Sequence, residues 1–229
     1  NKPVALTRLL GNYGLETDAT TVATTNVLGT SINPWDIQDG IRFTGDGDTN
    51  ASGGFNYINY FFKRAPGFFD VVAYTGTGSA QNVGHNLDAV PELIIVKARN
   101  VVDHWQVYSS VTDETDFLML NQTDATSDQV SKWNDTAPTS SVFTVNTDTG
   151  VNQSTKAYVA YLFATLSGIS KVGSYSGTGN AINVDCGFAA GARFVMVKRT
   201  NGTGDWYVWD SERGIVSGDD PYIFFNSNA

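Results

Sequence analysis

The sequence predicts an all-β protein of tandem antiparallel β-sandwich-like domains, and three observations predict it. The first is self-similarity. Tyr74-Thr75-Gly76-Thr77-Gly78 returns as Tyr175-Ser176-Gly177-Thr178-Gly179, 101 residues on. In the same register Val96-Lys97 falls on Val197-Lys198, Asn100 on Asn201, Trp105 on Trp206 and Val107 on Val208. Upstream, Tyr57 to Phe62 falls on Tyr158 to Phe163, and Gly67 on Gly168. A period this long belongs to a domain rather than to a short solenoid unit. The second observation is composition: Val, Thr, Tyr and Phe dominate short apolar runs, and Gly, Asn, Asp and Ser clusters separate them. The third is thin helical signal. Only the stretch from Ala125 to Trp133 could hold a turn or two, with Thr126 or Ser127 as the cap.

Taken in order, Phe68 to Tyr74 reads as a strand ended by a Thr-Gly-Thr-Gly reversal. Glycines at alternate positions there allow the positive φ of a tight turn. No Lys and no helix follow, so it is not a phosphate loop. Leu93 to Ala98 is a continuously apolar, β-branched run, as in a strand buried on both faces. Trp105-Gln106-Val107-Tyr108 alternates. Phe117 to Leu120, Val142 to Val145 and Tyr158 to Phe163 follow. The second copy predicts strands at Val172 to Tyr175, Arg193 to Lys198, Trp206 to Trp209 and Tyr222 to Phe225. Trp35 and Trp133 each precede a Phe-Thr strand and read as core plugs closing one end of a sandwich.

The repeat divides the chain into a partial unit at 1–66, a complete unit at 67–167 and a second partial unit at 168–229. Boundaries at Gly67 and Gly168 without a Pro/Ser-rich linker predict closely abutting units and a stiff rod. A chain that opens on Asn1 with a partial unit is expected to be processed, or a piece of a longer array. The net charge is −9, which opposes a phosphate backbone and argues against a nucleic-acid partner. No run is apolar and long enough to span a bilayer. A single cysteine, Cys186, cannot form an intrachain disulfide, and His85 stands at its place in the earlier copy.

Few residues suggest chemistry. Asp46, Asp48 and Asn50 place oxygen ligands at alternate positions, the pattern of a Ca2+ loop. The bidentate Glu of such a loop would fall at Tyr57, and a polar hairpin tip accounts for the same residues. Hydrolysis of a glycan needs two facing carboxylates, yet no carboxylate is shared by both copies: Glu92 falls on Arg193, Asp103 on Gly204 and Asp70 on Lys171. The chain is therefore not expected to be an enzyme. The aromatic run is more informative. Trp206, Val208 and Asp210 share one face of a strand, Tyr207 and Trp209 the other, and at most one face can be core. An exposed aromatic from Trp206, Trp209 or their counterpart Tyr108 would stack on a sugar or dock a neighbouring subunit.

The run Phe69 to Gly78, then Val83-Gly84-His85-Asn86-Leu87 and Val90 to Lys97, resembles repeat domains of tail-fibre and other tail-associated proteins of tailed bacteriophages, marine and cyanobacterial phages among them. Trp133 to Phe143, Tyr158 to Ala164 and Gly173 to Trp206 share the likeness, which covers about Phe55 to Asn226. The resemblance implies a structural, host-contacting virion component that acts by binding. Its expected partners are further copies of itself, other virion tail proteins, and a host-surface glycan or protein. The alternatives are a secreted lectin-like carbohydrate-binding module and, less well supported, a glycan depolymerase.

Overall fold

The computed structural model describes residues 2–25, 35, 37–43, 49–215, 218 and 220–227. Among them lie thirteen strands: β1 (Val4–Leu6), β2 (Gly14–Glu16), β3 (Phe69–Thr75), β4 (Gln81–Gly84), β5 (Leu93–Ala98), β6 (Gln106–Ser109), β7 (Asp116–Met119), β8 (Ser127–Asp128), β9 (Val142–Val145), β10 (Ala157–Phe163), β11 (Phe194–Lys198), β12 (Trp206–Asp210) and β13 (Ile223–Phe224). Helix is limited to a 3-10 turn at Arg8–Leu10 and the single turns α1 (Val130–Trp133) and α2 (Thr149–Asn152).

A six-stranded sheet runs β3-β10-β5-β6-β7-β8, with every neighbouring pair antiparallel. Its residues alternate between two cores, as a period of two requires. Val72 and Tyr74 of β3, Ile94, Val96 and Ala98 of β5, and Tyr158, Ala160 and Leu162 of β10 face one core. The two-stranded antiparallel sheet β4-β9 packs on this core with Val83, Phe143 and Val145, so two antiparallel sheets enclose it. Trp133 plugs it as the sequence predicts, buried and edge-on to Tyr108 at 6.0 Å. The cap expected for that helical turn is absent: Gln129 precedes it without a side-chain cap bond, while Thr126 donates to Thr200 O through both its N–H (2.8 Å) and its hydroxyl (3.2 Å).

The opposite face of the same sheet is also buried. Phe69, Val71, Ile95, Val107 and Val159 pack with Trp105 and Leu118, and this second core is completed by Leu10 and Leu15 from the start of the chain and by Trp206, Met196 and Phe225 from its end. Segments from 1–66, 67–167 and 168–229 thus share one core. Thr17 Oγ1 donates to Phe225 O at 2.9 Å, and Tyr60 Oη donates to Asp210 Oδ2 at 2.7 Å, so the first segment touches the last directly.

The β11–β12 ladder has the register of the β5–β6 ladder. Phe194 pairs with Asp210, Val195 with Trp209 and Met196 with Val208, as Leu93 pairs with Ser109, Ile94 with Tyr108 and Ile95 with Val107, each residue 101 on. One predicted strand, Val172 to Tyr175, and one stretch that matches a predicted strand in the repeat, Tyr57 to Phe62, remain unpaired. Tyr57 to Phe62 and Val172 to Tyr175 carry the residues of β10 and β3 but no ladder, and Phe61 is 70% exposed. In the central sheet β3 and β10 hold each other over seven positions, and β10 is hydrogen-bonded to β5 as well. Propensity without a partner strand does not make a strand.

Candidate functional site

The Thr-Gly-Thr-Gly reversal after β3 is locked from the opposite side by α2. Asn152 Oδ1 accepts from Thr77 N–H at 2.8 Å and from Gln81 Nε2 at 2.7 Å, and Gly78 N–H donates to Asn152 O at 2.9 Å. A Cβ on Gly76 would collide with Gln153 O, so the first glycine serves close approach and Gly78, at φ +77°, serves the turn. The element is structural throughout.

Two contact zones join the first, central and last segments, and their Trp and Lys donors stand 101 residues apart. Trp105 Nε1 donates to Glu16 O at 2.9 Å, and Trp206 Nε1 donates to Met119 O at 3.0 Å. The N–H of Trp105 donates to Asn121 Oδ1 at 3.1 Å; that of Trp206 donates to Asn226 Oδ1 at 2.8 Å. Lys97 Nζ donates to Thr20 O at 3.1 Å, and Lys198 Nζ donates to Thr123 O at 3.0 Å. Ala23 N–H donates to Arg99 O as Thr126 N–H donates to Thr200 O, both at 2.8 Å. Lys97 is fully buried, and burial brings its pKa down to about 8 against the opposing pull of Asp103. These zones hold the segments together.

The aromatic residues predicted as a surface divide between core and surface. Trp206 is 3% exposed and Tyr108 is buried beneath Trp133, so neither offers a ring to a ligand. The β12 face carrying Trp206, Val208 and Asp210 is the core face, which fixes Tyr207 and Trp209 on the other. Trp209 stacks on Tyr207 at 5.5 Å and 12°, beside Tyr222, which is 50% exposed. On the central sheet this face lies under Trp133. On β12 no described strand covers it.

Three carboxylates of low exposure each hold a cation. Asp70, buried, accepts from Arg64 Nε, from Val71 N–H at 2.8 Å and from Asn86 N–H at 2.8 Å. Lys132 Nζ donates to Asp148 Oδ1 at 2.8 Å in a nearly buried pair. Arg213 Nε donates to Asp210 Oδ2 at 2.6 Å. Burial raises the pKa of Asp210, but hydrogen bonds from Tyr60 and Arg213 outweigh it and hold the carboxyl below the usual range. Of the predicted cation ligands, Asp46 and Asp48 lie outside the described residues and Asn50 is exposed in a turn. Among the described residues no group of three or more His, Cys, Asp or Glu could hold a metal ion. No helix among them is long and apolar enough to cross a membrane.

One concavity escapes the sequence reading. Tyr13, Val22, Ala23, Arg99, Asn100 and Ala157 line a cleft of about 450 Å³ where the first segment meets the central sheet. Arg99 is held at its backbone, where its N–H donates to Ala157 O at 2.7 Å and its carbonyl accepts from Ala23. Its guanidinium makes no hydrogen bond or ion pair among the described residues, and Nε is shut off from solvent without a partner. The nearby Tyr161 hydroxyl is buried without a partner too. Asn100 Oδ1 accepts from Ala157 N–H at 2.9 Å, leaving its NH2 group unused among the described residues. Arg99 falls on Thr200 in the repeat, so a comparison of copies passes over it.

A family model described as a domain of unknown function, DUF7483, matches residues 63–221. No curated protein matches the chain, and no solved structure does.

Proposed function

We propose that this chain, which belongs to the DUF7483 family, is a structural component of a tailed-bacteriophage tail fibre or appendage that helps attach the virion to its host by binding rather than by catalysis. It is built of tandem β-sandwich repeats of about 101 residues, with one whole unit at 67–167 between partial units at 1–66 and 168–229. The observation that carries this reading is the recurring joint: the Trp105 indole bonds the preceding hairpin at Glu16 O, and the Trp206 indole bonds the next at Met119 O. A joint that recurs with the repeat can extend an array, and an array multiplies weak contacts through effective concentration. The likeness of residues 55–226 to phage tail repeats supports the same reading. Other copies of the chain and other tail proteins are its partners, and the virion is its location.

The test is immunogold imaging of the source particle with an antibody against residues 67–167. Labelling of projecting tail appendages is the expected result. A virion that never labels sinks the proposal. A lectin-like module is the second reading, favoured by the cleft at Tyr13, Arg99 and Asn100; it would leave virions unlabelled while an isolated chain still binds glycan.

A further inference from the structure

The lining of the cleft at the first joint is unusual in what it offers. Arg99 contributes a guanidinium that no acceptor among the described residues engages, and Asn100 contributes an amide NH2 with its oxygen already taken by Ala157. Both are donors. Beside them stands Tyr13, 44% exposed, with Val22 and Ala23 as the apolar remainder. A half-buried cation without a carboxylate costs stability, because its desolvation is not returned by a bond. The volume of about 450 Å³ lies within the range of small-molecule sites.

We propose that this cleft binds a carboxylate-bearing sugar, such as a uronic acid residue of a host-surface polysaccharide. The guanidinium receives the carboxylate through paired N–H donors. Asn100 donates to a ring hydroxyl or to the second carboxylate oxygen. The Tyr13 ring packs on the C–H face of the pyranose. A neutral hexose would leave the guanidinium without its charge partner, so the donor set discriminates for the acid. The chain's net charge of −9 opposes any anion at long range, so recognition comes from contact geometry and not from steering. The proposal rests on the attachment reading only for the polymer that carries the sugar.

The experiment is a titration of the 15N-labelled full chain with methyl β-D-glucuronide, methyl β-D-glucoside and acetate, read from backbone amide shifts. Saturable shifts at Tyr13, Arg99 and Asn100 with the glucuronide are expected, with the glucoside and acetate each at least about tenfold weaker. Arg99→Gln should weaken the glucuronide about tenfold while leaving the glucoside unchanged. Tyr13→Ala, at an exposed position, should weaken both sugars and leave acetate unchanged. Equal affinity for glucuronide and glucoside, undiminished binding by Arg99→Gln in a folded chain, or no shifts at the cleft overturns the proposal. Labelled virions with an inert cleft retire the sugar site alone. Uronate binding by a chain absent from virions retires the appendage alone.

Discussion

At the scale of single residues, the two tryptophans of one strand separate packing from surface. Trp206 fills the shared core and donates its indole N–H to Met119 O, so Trp206→Ala should cost about 3–5 kcal/mol in denaturant unfolding. Trp206→Phe keeps most of the ring but drops the hydrogen bond and should cost about 1 kcal/mol, since Gln122 N–H still donates to Met119 O at 3.2 Å. Trp209→Ala, on the uncovered face, should cost about 1 kcal/mol or less. Equal losses at the two positions would contradict the assignment of faces. Lys97 gives a pH signature. Its folded pKa of about 8 lies below the ordinary lysine value, so between pH 8 and 10 the unfolded chain holds a proton that the folded chain has released. Stability of the native chain should therefore rise with pH across that window relative to Lys97→Met, by about 2 kcal/mol in paired denaturant titrations. A flat difference would mean that the ammonium is not buried as described.

At the scale of elements, the positions of the main strands of the central sheet were legible, because β5 and β10 are apolar runs buried on both faces, whereas their pairing and register were not. The strands assigned to the second copy were legible only where partners exist. Phe194–Lys198 and Trp206–Asp210 form a ladder, whereas Val172 to Tyr175 has the residues of β3 without a neighbour, and residue pattern alone does not report neighbours. Hydrogen exchange should display the difference. Amides of β10, bonded on both sides, should be the slowest in the chain, and those of Gly173 to Tyr175 should exchange near the rate of an open chain. Protection at 173–175 comparable to β3 would show a strand pairing that the structure lacks. Gly76→Ala should destabilise the reversal by more than 1 kcal/mol, because the obstruction is backbone Gln153 O and cannot swing away. The cleft was not legible at all: Arg99 and Tyr13 lie 86 positions apart and meet only through β-strand geometry.

At the scale of the whole molecule, the shared core decides how the parts depend on one another. Residues 67–167 hold one complete interior around Ile94, Phe143 and Tyr158, but their other sheet face (Phe69, Val71, Ile95, Val107, Val159) is covered by side chains from both flanks. A fragment of 67–167 should fold with the β4-β9 sheet packed on its core and bind 8-anilinonaphthalene-1-sulfonate strongly, whereas the full chain should bind little. A fragment that binds no more dye than the full chain would show that the second face buries itself.

The pairing of β3 with β10 also governs how the chain carries load. Phe69 opens β3 and Phe163 closes β10, and the two are direct partners in the ladder. The backbone therefore enters and leaves this unit at one point. Tension along the chain pulls on neighbouring antiparallel strands from the same end, which peels their hydrogen bonds apart one rung at a time instead of shearing all seven together. Such a unit opens at low force when pulled by its own ends.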